Sequence, residues 1–256
     1  MSSLLIATIA CSAVCFATWL TSVITKEYSW VDRIWSIVPF VYLWIFAANS
    51  MDTRHILMAV VATLWGARLT FNFARKGGYA KGGEDYRWAI LREKMSPVLY
   101  QIFNVFFIVI FQNFLLLAIT IPTFYAPAGN ELSDYAWAAL FLGLLAFETI
   151  ADQQQWNFHK AKKAGKATGF LDKGLFSVSR HPNFFAEQAQ WWVLYFWAAT
   201  ALGQPLQWTI VGAIVLSALF AGSLRFTEQI SAGKYPEYKT YQKRVSALIP
   251  WFPRKA

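Results

Sequence analysis

Glu148 and Asp152 are the pair whose spacing points most directly to chemistry. Four residues apart on a helix, they stack two carboxylates on one face about 5–6 Å apart. Carboxyl groups that close share a proton, recruit hydrogen-bond donors, or draw a cation from a neighbouring helix. A structural ion pair with Arg68 or Arg225 is the plain alternative. A second group lies in the run Ser179-Arg180-His181-Pro182-Asn183-Phe184-Phe185-Ala186-Glu187. There Pro182 breaks the approach to a helix, Asn183 is placed to cap it, and Glu187 falls on its first turns. Arg180 and His181 then sit at a helix N-terminus, where amides and cationic side chains suit an anion such as a nucleotide phosphate. A capped helix with basic neighbours would read the same way. Asp32 and Arg33, Arg68, and Arg225 with Glu228 complete the set of charges inside or at the ends of apolar runs. A charge inside a bilayer costs roughly 2.5–3.5 kcal/mol, so such residues face the bundle interior and mark function.

The elements that must position these groups are seven apolar segments, at about 3–24, 34–50, 56–74, 98–121, 135–157, 184–202 and 206–230. Each is near the roughly 17–25 residues a spanning helix needs. Of the 23 Lys and Arg, all but Arg54 and Arg68 fall in alternate connections or at the C-terminal end. The positive-inside rule then places the N-terminus outside and the C-terminus in the cytosol, which requires an odd number of spans. The expected fold is all-α, a polytopic bundle of seven transmembrane helices forming one domain over 1–256. The first segment has no basic residue before Lys26 and a long apolar run, so it reads as a retained helix rather than a signal peptide. On this topology the polar residues gather in the cytoplasmic third, as a pocket open to the cytosol would require.

Composition agrees. The chain is 57% hydrophobic, 18% aromatic and only 14% charged, with a mean hydropathy of +0.36, outside the range of soluble domains. Its net charge of +9 follows from topology and from attraction to anionic headgroups, so membrane lipids rather than nucleic acid are the expected polyanionic partner. Cys11 and Cys15 are the only cysteines, too few for a disulfide framework or a zinc site, and no metal is expected. The inner connection 75–97 opens with Gly77-Gly78-Tyr79-Ala80-Lys81-Gly82-Gly83 and continues Glu84-Asp85-Tyr86-Arg87. Its amides could approach phosphates, though it is neither a dinucleotide fingerprint nor a Walker sequence, and a flexible loop reads equally well.

The Ser-Arg-His-Pro-Asn-Phe-x-x-Glu run, followed by Trp191-Trp192, resembles the C-terminal core of the steroid 5-alpha-reductase-like membrane proteins. It is most similar to their uncharacterised bacterial branch, of the DUF1295 type. Glu148-x-x-x-Asp152 matches an Asn-x-x-x-Asp of the steroid reductases, and Asn183-x-x-x-Glu187 matches their Asn-x-x-x-Glu. Arg225 matches an arginine before the tail, and Tyr238-x-x-Tyr241, Arg244 and Leu248-Ile249-Pro250 match the tail itself. The resemblance covers residues 140–253 well and the first half weakly. It implies NADPH held in a seven-helix bundle, and hydride transfer to a carbon–carbon double bond conjugated to a carbonyl. Asp152, Asn183, Glu187 and Arg225 would meet the nicotinamide and ribose. Arg180, His181 and the stretch from Lys81 through Asp85 to Arg87 would lie near phosphates. Glu148, Arg68, Glu228, Tyr238, Tyr241 and Arg244 complete the expected cofactor contacts. Asp32, with Tyr86 as second choice, is the expected proton donor to the developing enolate. The substrate would be a flat, lipid-soluble enone reaching the site from the bilayer. Two departures stand out: Glu148 replaces an asparagine, and the Gln-Glu pair that handles a steroid ketone has no clear copy.

Two other readings stay open. Isoprenylcysteine and phospholipid methyltransferases, of the same superfamily, share an Arg-His-Pro-x-Tyr-x-Gly element and bind S-adenosylmethionine. Here Phe184 and Ala186-Glu187 stand at its tyrosine and glycine. A transporter or scaffold would use the polar layer as a solute path and should show paired half-repeats, which the sequence lacks.

Overall fold

The computed structural model describes residues 1–254, apart from the side chain of Tyr86, so that residue's candidate role lies outside the described residues. All regular elements among them are helical. Six helical segments are long and apolar enough to cross a membrane: Ser3–Thr25, Trp30–Ser50, Thr53–Arg75, Pro97–Tyr125, Leu132–Lys163 and Ile210–Lys234. The remaining apolar segment of the sequence forms a 20-residue helix, Pro182–Ala201. Its buried Glu187, Gln188 and Gln190 lower its hydropathy, and it is not among the six. The chain forms two compact units, Met1–Ala138 with Leu194–Gly212, and Ala139–Val193 with Ala213–Ala256.

In the first unit, α1 (Ser3–Thr25) starts at Ser2, whose hydroxyl accepts the Leu5 amide at 3.3 Å. The second apolar segment starts earlier than its hydropathy suggests and is broken in two, α2 (Trp30–Trp35) and α3 (Val38–Ser50). Pro39 explains the break: it has no N–H for an upstream carbonyl, yet suits the first turn of a new helix. α3 lies along α4 (Thr53–Arg75). Buried Ala59 and Ala62, with Gly66, form a small-residue stripe that lets the backbones approach. A Cβ on Gly66 would lie 2.3 Å from the Ser36 carbonyl oxygen. A short α5 (Tyr86–Glu93) follows the glycine-rich loop.

The fourth segment is interrupted as well. After α6 (Pro97–Phe103) the residues Asn104–Phe111 form a π-helix, followed by α7 (Gln112–Ala118) and α8 (Ile121–Tyr125). Asn104 and Asn113 are nine residues apart, or 2.5 turns of α-helix, which would set them on opposite faces. The wider π turns, with i→i+5 bonds, bring nine residues to about two turns. Both amides accordingly face α1, where Asn104 Nδ2 donates to Ser22 Oγ (3.0 Å) and Asn113 Nδ2 to Thr18 Oγ1 (3.3 Å). The same wider turns stack Phe103, Phe107 and Phe111, with ring centroids 4.8 and 5.3 Å apart.

The sequence leaves Arg54 as an isolated cation in an outer connection; the structure buries it. Its Nε meets Asp134 Oδ1 at 2.7 Å, its Nη1 donates to the Pro127 carbonyl at 2.8 Å, and Trp197 Nε1 donates to the same Asp134 oxygen at 2.7 Å. Asp134 is invisible as a partner in the sequence because it lies eighty residues away.

The second unit contains most of α9 (Leu132–Lys163), the first part of α10 (Pro182–Ala201), most of α11 (Ile210–Lys234), and α12 (Tyr238–Arg244). At 32 residues, α9 is about 48 Å long, well beyond the thickness of a hydrocarbon core. Its basic last turn therefore extends past the apolar stretch. Within this unit α10 and α11 are joined by Trp192 Nε1 donating to Ser217 Oγ at 3.0 Å, and by the edge-to-face rings of Phe184 and Phe220.

Candidate functional site

The second unit brings together the largest group of sequence-expected site residues. Helical spacing puts Glu148 and Asp152 on one face of α9, both buried, and each meets an amide side chain of α10. Gln190 Nε2 donates to Glu148 Oε2 at 2.7 Å, and Asn183 Nδ2 donates to Asp152 Oδ1 at 3.3 Å. Glu187 is buried one helical turn on from Asn183 and accepts from Trp191 Nε1 at 3.3 Å. Two carboxylates of α9 are thus each met by an amide donor of α10. Gln190 Oε1 is buried with no hydrogen-bond partner among the described residues. An orphaned buried acceptor on a side chain bonded to Glu148 fits a ligand that brings N–H or O–H donors.

Asn183 does not cap α10 as the sequence suggests. The helix begins at Pro182, which takes the first helical position because its missing N–H would have no helical partner there. Asn183 therefore lies inside the first turn, and its side chain is directed to Asp152. Nothing in the sequence links Gln190 to Glu148, 42 residues away.

Arg180 and His181 form a separate clamp. Arg180 Nε and Nη2 reach the two oxygens of Glu228 at 2.5 and 3.0 Å, and His181 Nε2 lies 3.2 Å from the first of them. Gln242 Nε2 donates to the second at 2.9 Å. Arg180 Nη1 also donates to the carbonyls of Gln242 and Val245. The guanidinium expected near phosphates thus holds α11 to the tail in this structure. Tyr238 and Tyr241 pack with Phe170, and burial pushes both hydroxyls above their ordinary range. They stay protonated, and Tyr241 donates to the Phe176 carbonyl. Tyr235 differs: the Lys162 ammonium, 2.5 Å from its hydroxyl, lowers its pKa. Arg225 and Arg244 are exposed.

The first unit holds the remaining candidates. Asp32, partly buried on α2, accepts the indole N–H of Trp88 at 2.7 Å, beside the apolar cluster of Tyr28, Val31, Trp88, Tyr100 and Ile108. Arg33 lies under the glycine-rich loop, donating to the Gly78 and Ala80 carbonyls at 3.1 and 3.3 Å and pairing with Glu27 at 2.7 Å. The Gly82 amide donates to Glu27 at 2.9 Å, so an anion of the chain itself occupies one of the amides considered for phosphate. Gly77 and Gly82 have φ of 86° and 75°, a conformation that needs glycine. Asp85 caps α5 and pairs with Arg87 at 2.9 Å. Lys81 is exposed, and Arg68 is partly buried on α4. No group of three or more metal-ligating side chains occurs among the described residues.

Helical throughout its described regular elements, with six segments long and apolar enough to cross a membrane, the chain is a multi-pass membrane protein in which carboxylate–amide pairs join α9 to α10. The chain belongs to the family described as protein of unknown function DUF1295, which matches residues 18–245 and is part of the steroid 5-alpha-reductase-like superfamily. It is similar to an uncharacterized protein of the fission yeast Schizosaccharomyces pombe, with 40% identity over 258 residues covering 91% of this chain and 75% of that protein. No solved structure matches.

Proposed function

We propose that the protein is a membrane-embedded, NADPH-dependent reductase that adds hydride to the carbon–carbon double bond of a lipophilic enone. The observation that carries this reading is the meeting of the two motif pairs, Glu148/Asp152 and Asn183/Glu187, on facing helices of one unit, with Asp152 and Asn183 in hydrogen-bond contact. The resemblance of these motif pairs to those of the steroid reductases supports hydride transfer as the reaction type. The Gln190 acceptor fits the carboxamide N–H of a nicotinamide, while Asp152 and Glu187 suit ribose hydroxyls. When bound, NADPH supplies the hydride. The chain's own residues bind and orient it, and they exclude water by burial. Asp32 is the proposed proton donor to the substrate, with Tyr86 as second choice. Arg225 is proposed, with Asn183, for the nicotinamide and ribose portion. We further propose that α10 is a seventh span. The sorting of Lys and Arg then supports an outside N-terminus and a cytosolic C-terminus, and the site opens to the cytosol.

Titration of the detergent-solubilised protein with NADPH, NADH and S-adenosylmethionine tests the reading. Saturable binding of NADPH, weakened in Asp152→Ala and Asn183→Ala at near-normal folded yield, is expected. A lost hydrogen bond to a charged group is worth about 1.5–3 kcal/mol, or roughly tenfold to a hundredfold in affinity. Binding of S-adenosylmethionine alone would replace the assignment with methyl transfer, and normal NADPH binding by both variants would remove the proposed pocket.

A further inference from the structure

After α12 the described residues, 245–254, have no regular structure, yet their backbone is tied down at intervals. The Arg180 amide donates to the Ser246 carbonyl at 2.8 Å, and Ser179 Oγ donates to the Leu248 carbonyl at 2.6 Å. The Trp251 amide donates to the Val178 carbonyl, and the Arg254 amide to the Arg244 carbonyl, both at 2.9 Å. A strap pinned in this way would be expected to turn its large apolar side chains inward. It does the reverse: Ile249 is 61% exposed, Trp251 69% and Phe252 84%. Exposed cations, Lys243, Arg244 and Arg254, flank them. Val178 lies four residues before Pro182, where α10 begins its apolar course.

We propose that the strap Ile249–Phe252 is an interfacial lipid contact. Its isoleucine and two aromatic rings enter the boundary between headgroups and acyl chains, and Lys243, Arg244 and Arg254 hold anionic lipid phosphates. Tryptophan and phenylalanine beside basic residues are the composition of such contacts. The cations select a negatively charged lipid surface over an apolar protein groove. Because the strap holds Ser179 and Arg180 in place, seating it in lipid steadies the segment that leads into α10. The proposal holds whichever cofactor the protein binds.

The experiment places an environment-sensitive fluorophore at Trp251→Cys, in a background of Cys11→Ala and Cys15→Ala, in nanodiscs of phosphatidylcholine with or without phosphatidylserine. The expected result is blue-shifted emission quenched more by lipid spin labels near the headgroup than by labels at the bilayer centre. Lys243→Gln and Arg254→Gln should each weaken the phosphatidylserine-dependent part about fivefold. A Lys166→Cys label, at an exposed position outside the strap, is the water-facing reference. Emission matching that reference overturns the proposal. So does a label that is shielded but untouched by lipid quenchers, which would indicate a protein partner or a second copy. If Trp251→Cys folds poorly, Phe252→Cys gives the same readout.

Discussion

Replacing Glu228 with alanine should release the C-terminal segment from the second unit. Four polar atoms converge on this carboxylate: two from Arg180, at 2.5 and 3.0 Å, and one each from His181 and Gln242. The Arg180 and Glu228 side chains are only 9% and 10% exposed, so water screens the pair little. Removing one partner of a buried ion pair costs about 3–5 kcal/mol, because the other charge is left without compensation. Arg180 retains the Gln242 and Val245 carbonyls, which favours the lower end, about 3 kcal/mol. Expressed as local opening of α12 and the strap, that is on the order of a hundredfold. Trypsin cleavage at Lys239 and Lys243, which lie on α12 and need it to unfold, reports that opening. Glu228→Ala should therefore lose its tail about a hundredfold faster than the native protein. Glu228→Gln, which keeps an acceptor but no charge, should fall between. Cleavage of Glu228→Ala at the native rate would refute the clamp.

Asp134→Ala, which strands the buried Arg54, should destabilise the solubilised protein by about 3 kcal/mol or more. Glu131→Ala, which removes a partner 66% exposed, should change it by about 1 kcal/mol or less; thermal unfolding followed by tryptophan fluorescence compares the two. Gly66→Ala would push a methyl to 2.3 Å from the Ser36 oxygen and 2.6 Å from the Phe40 ring, and should lower stability by about 1–3 kcal/mol in the same assay. Burial alone would raise the Asp52 carboxyl, but hydrogen bonds from Ser50, Gly129 and His55 outweigh it and bring its pKa down to about 2. A carboxyl depressed in the folded state stabilises above its unfolded pKa, and that contribution is lost as pH falls from about 4 to about 2. Asp52→Asn should flatten this part of the acid-unfolding profile. Asp32→Asn should abolish turnover of an enone while leaving NADPH affinity unchanged; retained turnover would make Asp32 a bystander.

The long apolar helices were legible in the sequence because each must be apolar along its length to cross a bilayer. So was the stacking of Glu148 over Asp152, since i,i+4 spacing depends only on helix geometry. What each carboxylate meets was not legible: Gln190 lies 42 residues from Glu148 and Asn183 lies 31 from Asp152. Residue type misled at two positions. Asn183 resembles a cap, but Pro182 starts the helix one residue earlier. Arg54 resembles a loop cation, but it is buried with Asp134. The π-helix had no visible signature, because its effect, turning Asn104 and Asn113 to the same face, contradicts the α-helical period by which a sequence is read.

Hydride transfer to a lipid can be followed in a dual-isotope experiment. Membranes containing the protein are incubated with NADPH carrying deuterium at the transferable position, together with S-adenosylmethionine carrying a deuterated methyl group, and their lipids are analysed by mass spectrometry. The expected result is a lipid that gains one deuterium from NADPH with the native protein and none with Asp152→Ala. A lipid that gains the deuterated methyl group instead, with no label from NADPH, would contradict hydride transfer.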